Sequence, residues 1–257
     1  MIELRNITKI YNPNTVSETR LFEGLNLTVG NGEFVSVVGS NGSGKTTLLN
    51  LVCGSTPLTG GEVLLDGKNI GKLREFERCR RIGRVHQDPA AGTCPHMTIW
   101  ENLSMADNKG KPYGLSPGLN RARRETYRGM LHELGLGLED KLEVPVGLLS
   151  GGQRQAVALL MATLTPVDFL ILDEHTAALD PHTADIIMQL TDRVVREKGL
   201  TALMVTHNLR YAVDYGTRLL MMDRGRIILD RSGEEKKSMT VDDVLALFNA
   251  ISIECGN

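Results

Sequence analysis

The sequence predicts an α/β fold built on a mostly parallel sheet, with an N-terminal antiparallel β subdomain and an inserted helical subdomain. Three observations predict it. Phe34 to Val38 is a short β-branched run, as in a buried strand, and it leads straight into a glycine-rich segment and an apolar helical pattern at Leu48, Leu49 and Val52. Strand signal returns at Phe169 to Leu172 and at Thr201 to Val205, with a helical stretch from about Ala184 to Lys198 between them. That alternation marks a parallel sheet. From Asp88 to Leu148 strand signal is scarce, as a mostly helical insertion requires.

Each element follows from local chemistry. Ile2 to Tyr11 alternates in part and predicts a first strand, ended by the turn cluster Asn12-Pro13-Asn14. Leu21 to Val29 predicts a second, turned by Gly30-Asn31-Gly32. Gly60-Gly61 and Asp66-Gly67 bracket a hairpin strand, Glu62 to Leu65. Within the insertion, Ile99 to Met105 and Arg121 to Leu134 have helical composition, separated by a Gly/Pro-rich loop from Lys109 to Gly118. Leu219 to Met222 and Arg226 to Leu229 flank Asp223-Arg224-Gly225 as a late hairpin. Thr240 opens a last helix, with Asp243 placed as the acid of a capping box. The expected organisation is one domain over 1–257, with a helical lobe inserted at 88–164 and a C-terminal helix and tail at 238–257. No internal repeat or low-complexity tract interrupts it.

Composition bounds the function classes. At 41% hydrophobic and 23% charged over 257 residues, the chain reads as soluble and globular rather than disordered. A formal net charge of −2 argues against a nucleic-acid partner. The apolar stretches Phe169 to Leu172 and Ala156 to Ala162 fall far short of the roughly 18 residues of a membrane helix. Met1 to Arg5 lacks the basic-then-apolar plan of a signal peptide. Cys53, Cys79, Cys94 and Cys255 form no C-x-x-C pair, so a reduced cytosolic chain is expected. The arginine clusters Arg74 to Arg84 and Arg121 to Arg128 are interleaved with Glu75, Glu77 and Glu125 and read as solvated helix faces. His86, Cys94 and His96 lack zinc spacing.

Gly39-Ser40-Asn41-Gly42-Ser43-Gly44-Lys45-Thr46 fits G-x-x-x-x-G-K-[ST] at every fixed position, after a strand and before a helix. Glycines let backbone N–H groups curl around phosphate oxygens, and the helix N-terminus adds partial positive charge. Lys45 is expected to reach the β- and γ-phosphates and Thr46 to ligate Mg²⁺, with Thr47 beside them. Phe169 to Glu174 supplies the complement, an apolar strand ending in two carboxylates. Asp173 suits Mg²⁺ held through water, and Glu174 suits a base that polarises the attacking water. Together these predict a P-loop nucleotidase that works with Mg²⁺. They do not choose among kinase, GTPase, motor and transport ATPase.

Leu149-Ser150-Gly151-Gly152-Gln153 makes the choice: with it, the chain resembles the ATP-binding subunits of ABC transporters, whose signature is LSGGQ. Ser150, Gly151, Gly152 and Gln153 open a helix with free N–H groups, a second anion site. The resemblance implies that this site faces the nucleotide of a second copy, so that two ATP are sandwiched between head-to-tail subunits. It further implies that Gln87 is the glutamine-loop residue touching Mg²⁺ or the attacking water, and that Asp180 belongs to a loop at the subunit interface. By the same resemblance His207 contacts the γ-phosphate and Tyr11 stacks on adenine. Tyr11 also reads as a strand-end core residue.

Three departures from the family pattern stand out. His175 follows Glu174 where proline is common; it reads either as a tolerated loop change or as a group tuning the adjacent base. Ala156 and Met161 replace arginines, which implies altered packing in the lobe. By resemblance, Ala91 to Leu103, especially His96, Met97, Ile99 and Trp100, lines a groove for a permease helix; Ile99 and Trp100 also read as lobe core. The implied partners are a second ATPase copy, transmembrane permease subunits and an extracytoplasmic substrate-binding protein, placing the chain peripherally on the cytoplasmic face of the membrane. The stretches 92–98, 173–180 and 232–237 are similar to ATPases of bacterial uptake systems with a substrate-binding lipoprotein and a branched-chain-amino-acid-type permease. Some members of that group are linked to aromatic amino acids. An exporter ATPase and a non-transport regulatory ATPase are the alternatives.

Overall fold

The computed structural model describes residues 1–112, 114 and 118–254, with side chains to Ala250. Tyr113 and residues 115–117 of the predicted Lys109 to Gly118 loop lie outside the described residues, as does the end of the predicted tail, 255–257.

Two compact units divide the chain: Met1–Cys79 with Lys198–Asn257, and Arg80–Glu197. The first unit holds two sheets. Strands β1 (Ile2–Tyr11) and β2 (Thr19–Val29) pair antiparallel, and β1 also pairs antiparallel with β4 (Gly60–Leu65). The short β5 (Lys68–Asn69) closes the Asp66-Gly67 hairpin, giving the order β2-β1-β4-β5. This is the expected antiparallel subdomain.

In the second sheet of this unit, β3 (Phe34–Gly39) is buried along its whole length. It runs parallel to both β8 (Ala202–Val205) and β9 (Arg218–Asp223), and β10 (Arg226–Ser232) returns antiparallel on β9. A strand hydrogen-bonded on both sides and covered on both faces needs a near-continuous apolar run, which Phe34 to Val38 provides. Helix α1 (Lys45–Cys53) follows β3, and α7 (Leu209–Asp214) follows β8. The last helix, α9 (Val241–Glu254), carries the expected capping box. The Asp243 carboxylate accepts from Thr240 N at 2.8 Å, and the Thr240 hydroxyl accepts from Asp243 N at 3.2 Å. Val244 of α9 packs with Val38, Leu219 and Met221. Helix α8 (Gly233–Lys237) is not expected from sequence.

The second unit holds the parallel pair β6 (Ile82–Val85) and β7 (Phe169–Asp173) together with the helices. These are α3 (Ile99–Asp107), α4 (Arg124–Glu133), α5 (Gly151–Thr163) and α6 (Pro181–Glu197). Helix α6 begins three residues earlier than predicted. The buried Asn102 amide ties the preceding loop to α3, accepting from Cys94 N at 2.7 Å and donating to the Cys94, Met97 and Thr98 carbonyls.

The arginine cluster Arg74 to Arg84 corrects the expectation of a solvated helix face. Only α2 (Glu75–Arg78) is helical, Arg78 is 4% exposed, and Arg84 lies within strand β6. Among the described residues no helix is long and apolar enough to cross a membrane.

Candidate functional site

In the first unit the phosphate loop joins β3 to α1. Gly44 caps α1 at φ 105°, and a Cβ there would lie 2.9 Å from the Phe22 ring, so only glycine serves. Lys45 is 5% exposed, and its ammonium donates to the Gly39 and Ser40 carbonyls at 2.7 and 3.0 Å. A buried cation bonded to loop carbonyls sits at a helix N-terminus that itself favours anions. Gly225 N donates to the Ser43 carbonyl, which pins the loop to the β9–β10 turn. Tyr11 is exposed at the end of β1, with its hydroxyl 3.2 Å from Thr47 Oγ1 and the Lys9 ammonium 4.7 Å from its ring centre. It is therefore no core residue; its ring lies open beside the first turn of α1. His207, just past β8, is exposed. It lines a cavity of about 300 Å³ together with Gly39, Ser40, Asn41 and Phe248.

In the second unit β7 delivers Asp173 and Glu174. The Arg84 guanidinium donates to Asp173 Oδ2 at 2.6 Å. Glu174 has φ 47°, a left-handed conformation that costs a non-glycine residue about 1 kcal/mol, and its carbonyl accepts from Ala177 N. Gln87 is exposed just beyond β6. The signature opens α5 as expected: Ser150 is the N-cap and forms a capping box with Gln153. Gly152 is buried, and a Cβ on it would lie 2.2 Å from the Thr183 methyl, so glycine lets α5 and α6 approach. The Asp180 carboxylate accepts from Thr183 N at 3.0 Å and so caps α6; hydrogen bonds from the Thr183 side chain and backbone hold its pKa below the ordinary value.

Gln155 was missed from sequence. It is 1% exposed, and its amide donates to the His86 carbonyl at 3.1 Å, tying the signature helix to the residue before Gln87. No local pattern marks it, because its partner is 69 positions away. Of the expected groove residues, His96 is exposed, Met97 and Trp100 are half-buried, and Ile99 is core. Trp100 donates to the Asn120 carbonyl, with the Arg124 guanidinium over its ring.

His175 is 2% exposed and its Nε2 lies 3.0 Å from Thr191 Oγ1. The Thr191 hydroxyl donates to the Ile187 carbonyl, so the histidine donates through Nε2–H. Its ring is thus anchored to α6 as a neutral group, and burial pushes its pKa down to about 4. The unfolded chain takes up a proton below about pH 6.5 that the folded chain refuses until about pH 4. Stability therefore falls as pH drops through that window, by up to about 3 kcal/mol at its lower end. His175→Leu keeps the volume and leaves Thr191 bonded to Ile187. It is expected to flatten the loss of urea midpoint between pH 7 and about pH 4.5; parallel curves for the two proteins would sink this assignment.

The sequence pattern of the ABC transporter family matches residues 22–177. The chain belongs to the ABC transporter family. It is 45% identical over 249 residues to the tyrosine transport ATP-binding protein of Clostridioides difficile (strain R20291), covering 96% of this chain and 98% of that one. To the lipoprotein-releasing system ATP-binding protein LolD 1 of Caulobacter vibrioides it is 37% identical over 231 residues, covering 88% and 94%. Among solved structures, the dimeric ATP-binding cassette MJ0796 bound to ADP and Pi superposes with a TM-score of 0.75 at 31% identity, covering 90% of this chain and 98% of that one. The fold is that of the ABC cassettes, and the chain is an ATPase subunit of a transporter.

Proposed function

We propose that this ABC subunit pairs with a second copy around two ATP and drives a separate permease that imports an amino acid, of the aromatic class. The observation that carries this is the 45% identity, end to end, to a tyrosine transport ATP-binding protein. In this reading the loop Gly39, Ser40, Asn41, Gly42, Ser43 and Gly44 wraps the phosphates, Lys45 leaves its carbonyl partners for the β- and γ-phosphates, and Tyr11 stacks on adenine. His207 senses the γ-phosphate. Glu174 takes the proton of the attacking water. Ser150, Gly151, Gly152 and Gln153 offer their helix N-terminus to the nucleotide of the partner copy, with Asp180 at the interface between copies.

Among the described residues no three His, Cys, Asp or Glu side chains cluster as a metal cage. The donor set assigned here, the Thr46 hydroxyl, the Gln87 amide and the Asp173 carboxylate, is all hard oxygen. That fits Mg²⁺, which keeps waters and substrate phosphates as its other ligands. When bound, Mg²⁺ neutralises charge developing between the β- and γ-phosphates. The chain's own residues do the rest: Thr46, Gln87 and Asp173 orient, and Glu174 moves the proton.

The test is transport itself. The chain purified with its permease and extracytoplasmic binding protein in sealed vesicles is expected to move labelled tyrosine into the compartment that holds ATP and the nucleotide-binding subunits. Movement out of that compartment would replace uptake by export. Release of a lipoprotein, as the LolD relative's name records for that protein, would replace the amino-acid reading.

A further inference from the structure

Strand β6 reads Ile82-Gly83-Arg84-Val85, and Arg84 is its one charged residue. The parallel register pairs Arg84 with Ile171. Side chains alternate along a strand, so Asp173, two residues beyond Ile171, shares the face of Arg84. There the guanidinium Nη2 lies 2.6 Å from Asp173 Oδ2, with the two side chains 15% and 12% exposed. A cation in the middle of a strand, aimed at the carboxylate that ends the neighbouring strand, is an unusual use of a sheet position, and packing alone does not call for it.

We propose that Arg84 is a positioning residue that occupies one oxygen of Asp173 and lowers its hold on a divalent cation, so that metal is retained only when nucleotide phosphates add their charge. This rests on the reading of Asp173 as a Mg²⁺ ligand. A carboxylate paired with a guanidinium carries little net charge toward a second cation, and one of its oxygens is already taken. The Arg84–Asp173 pair is therefore a poor metal site by itself. Triphosphate oxygens tip the balance, because Mg²⁺ is held mainly by phosphate and water in such sites. The pair also fixes the Asp173 rotamer before the metal arrives, which sets the direction from which the carboxylate meets it.

The experiment measures binding of Mn²⁺ to the full chain by electron paramagnetic resonance, with and without a non-hydrolysable ATP analogue. Arg84→Met is expected to bind Mn²⁺ at least about tenfold more tightly in both conditions, since a neighbouring guanidinium shifts a carboxylate's affinity for a competing cation by about that factor or more. Arg84→Lys keeps the charge and is expected to stay near wild type. A second readout is thermal: Mn²⁺ without nucleotide raises the melting temperature of Arg84→Met and not of wild type. Where Arg84→Met does not fold, Arg84→Gln serves, keeping donors without charge. Unchanged or weaker Mn²⁺ binding in the neutral variants, alongside an Asp173→Asn variant that binds Mn²⁺ more weakly, overturns the proposal and leaves the ligand reading standing. Asp173→Asn binding Mn²⁺ as tightly as wild type with the ATP analogue present overturns the ligand reading, and the proposal with it.

Discussion

Glu174→Gln is expected to slow ATP hydrolysis by about 10²- to 10⁴-fold, the usual contribution of a positioned general base, while nucleotide still binds. The substitution keeps the size and shape of the side chain and removes only its basicity. Backbone strain does not confound it, because glutamine meets the same steric cost as glutamate at φ 47°. That strain is itself informative. The chain reverses sharply after β7, with the Glu174 carbonyl closing a turn onto Ala177 N, and the reversal sets the direction in which the side chain leaves the strand. A residue held in a disfavoured conformation directly after a fully buried strand is over-determined by its surroundings, as a catalytic group must be. Two measurements check it. Phosphate release reports the rate, and gel filtration with ATP reports the dimer, expected to accumulate because ATP that cannot be hydrolysed keeps the two copies closed. Hydrolysis persisting near the wild-type rate would remove Glu174 as the base.

The parts of the site that were legible in the sequence are those whose chemistry is local. A phosphate loop needs its glycines, lysine and hydroxyl within eight consecutive residues, so Gly39 to Thr46 announces itself. The same holds for Asp173 and Glu174 after an apolar run, and for Ser150 with Gln153, where both halves of the capping box sit three residues apart. The pattern of β3, apolar throughout, was readable because burial on both faces leaves no other choice. What escaped was non-local. Strand β6 is four residues long and half of it is Gly83 and Arg84, so no periodicity could reveal it. Arg84 gains meaning from Asp173, 89 positions on, and Gln155 from His86, 69 positions back. An arginine-rich stretch with glutamates between reads as a solvated helix face until tertiary contacts take single members of it inside. His175 is the mixed case. Its departure from proline was visible, but the ring's bond to Thr191 is made across the unit and decides that it anchors α6.

Arg78→Met is expected to destabilise the first unit by about 3 kcal/mol. Helix α1 ends at Cys53, and its last carbonyls have no partner within the helix. Arg78 supplies one from a distance: Nη1 donates to the Leu51 and Val52 carbonyls at 2.7 and 3.0 Å. Its other nitrogens reach the Gly71 carbonyl at 2.9 Å and the Leu73 carbonyl at 3.0 Å, so one fork joins the end of α1 to the loop before Glu75–Arg78. A cation at a helix C-terminus is also favoured by the helix dipole. Burial pulls the guanidinium pKa down, the cost of holding this charge inside. Methionine fills the volume and leaves four carbonyls without a donor. Charge-assisted bonds contribute about 1.5–3 kcal/mol each when lost singly, but losses around one group do not add, and some carbonyls will recover water. Arg78→Lys is expected to recover only part, because a single ammonium cannot span four acceptors laid out for a planar fork. Urea midpoints of the three proteins check this, and a loss below about 1 kcal/mol for Arg78→Met would show that water replaces the fork at little cost. Because Arg78 braces the far end of the helix whose first turn carries Lys45, the effect belongs to folding rather than to the reaction. Hydrolysis per folded molecule is expected to stay near wild type well below the melting temperature of the variant, and ATP is expected to raise the midpoints of both proteins alike.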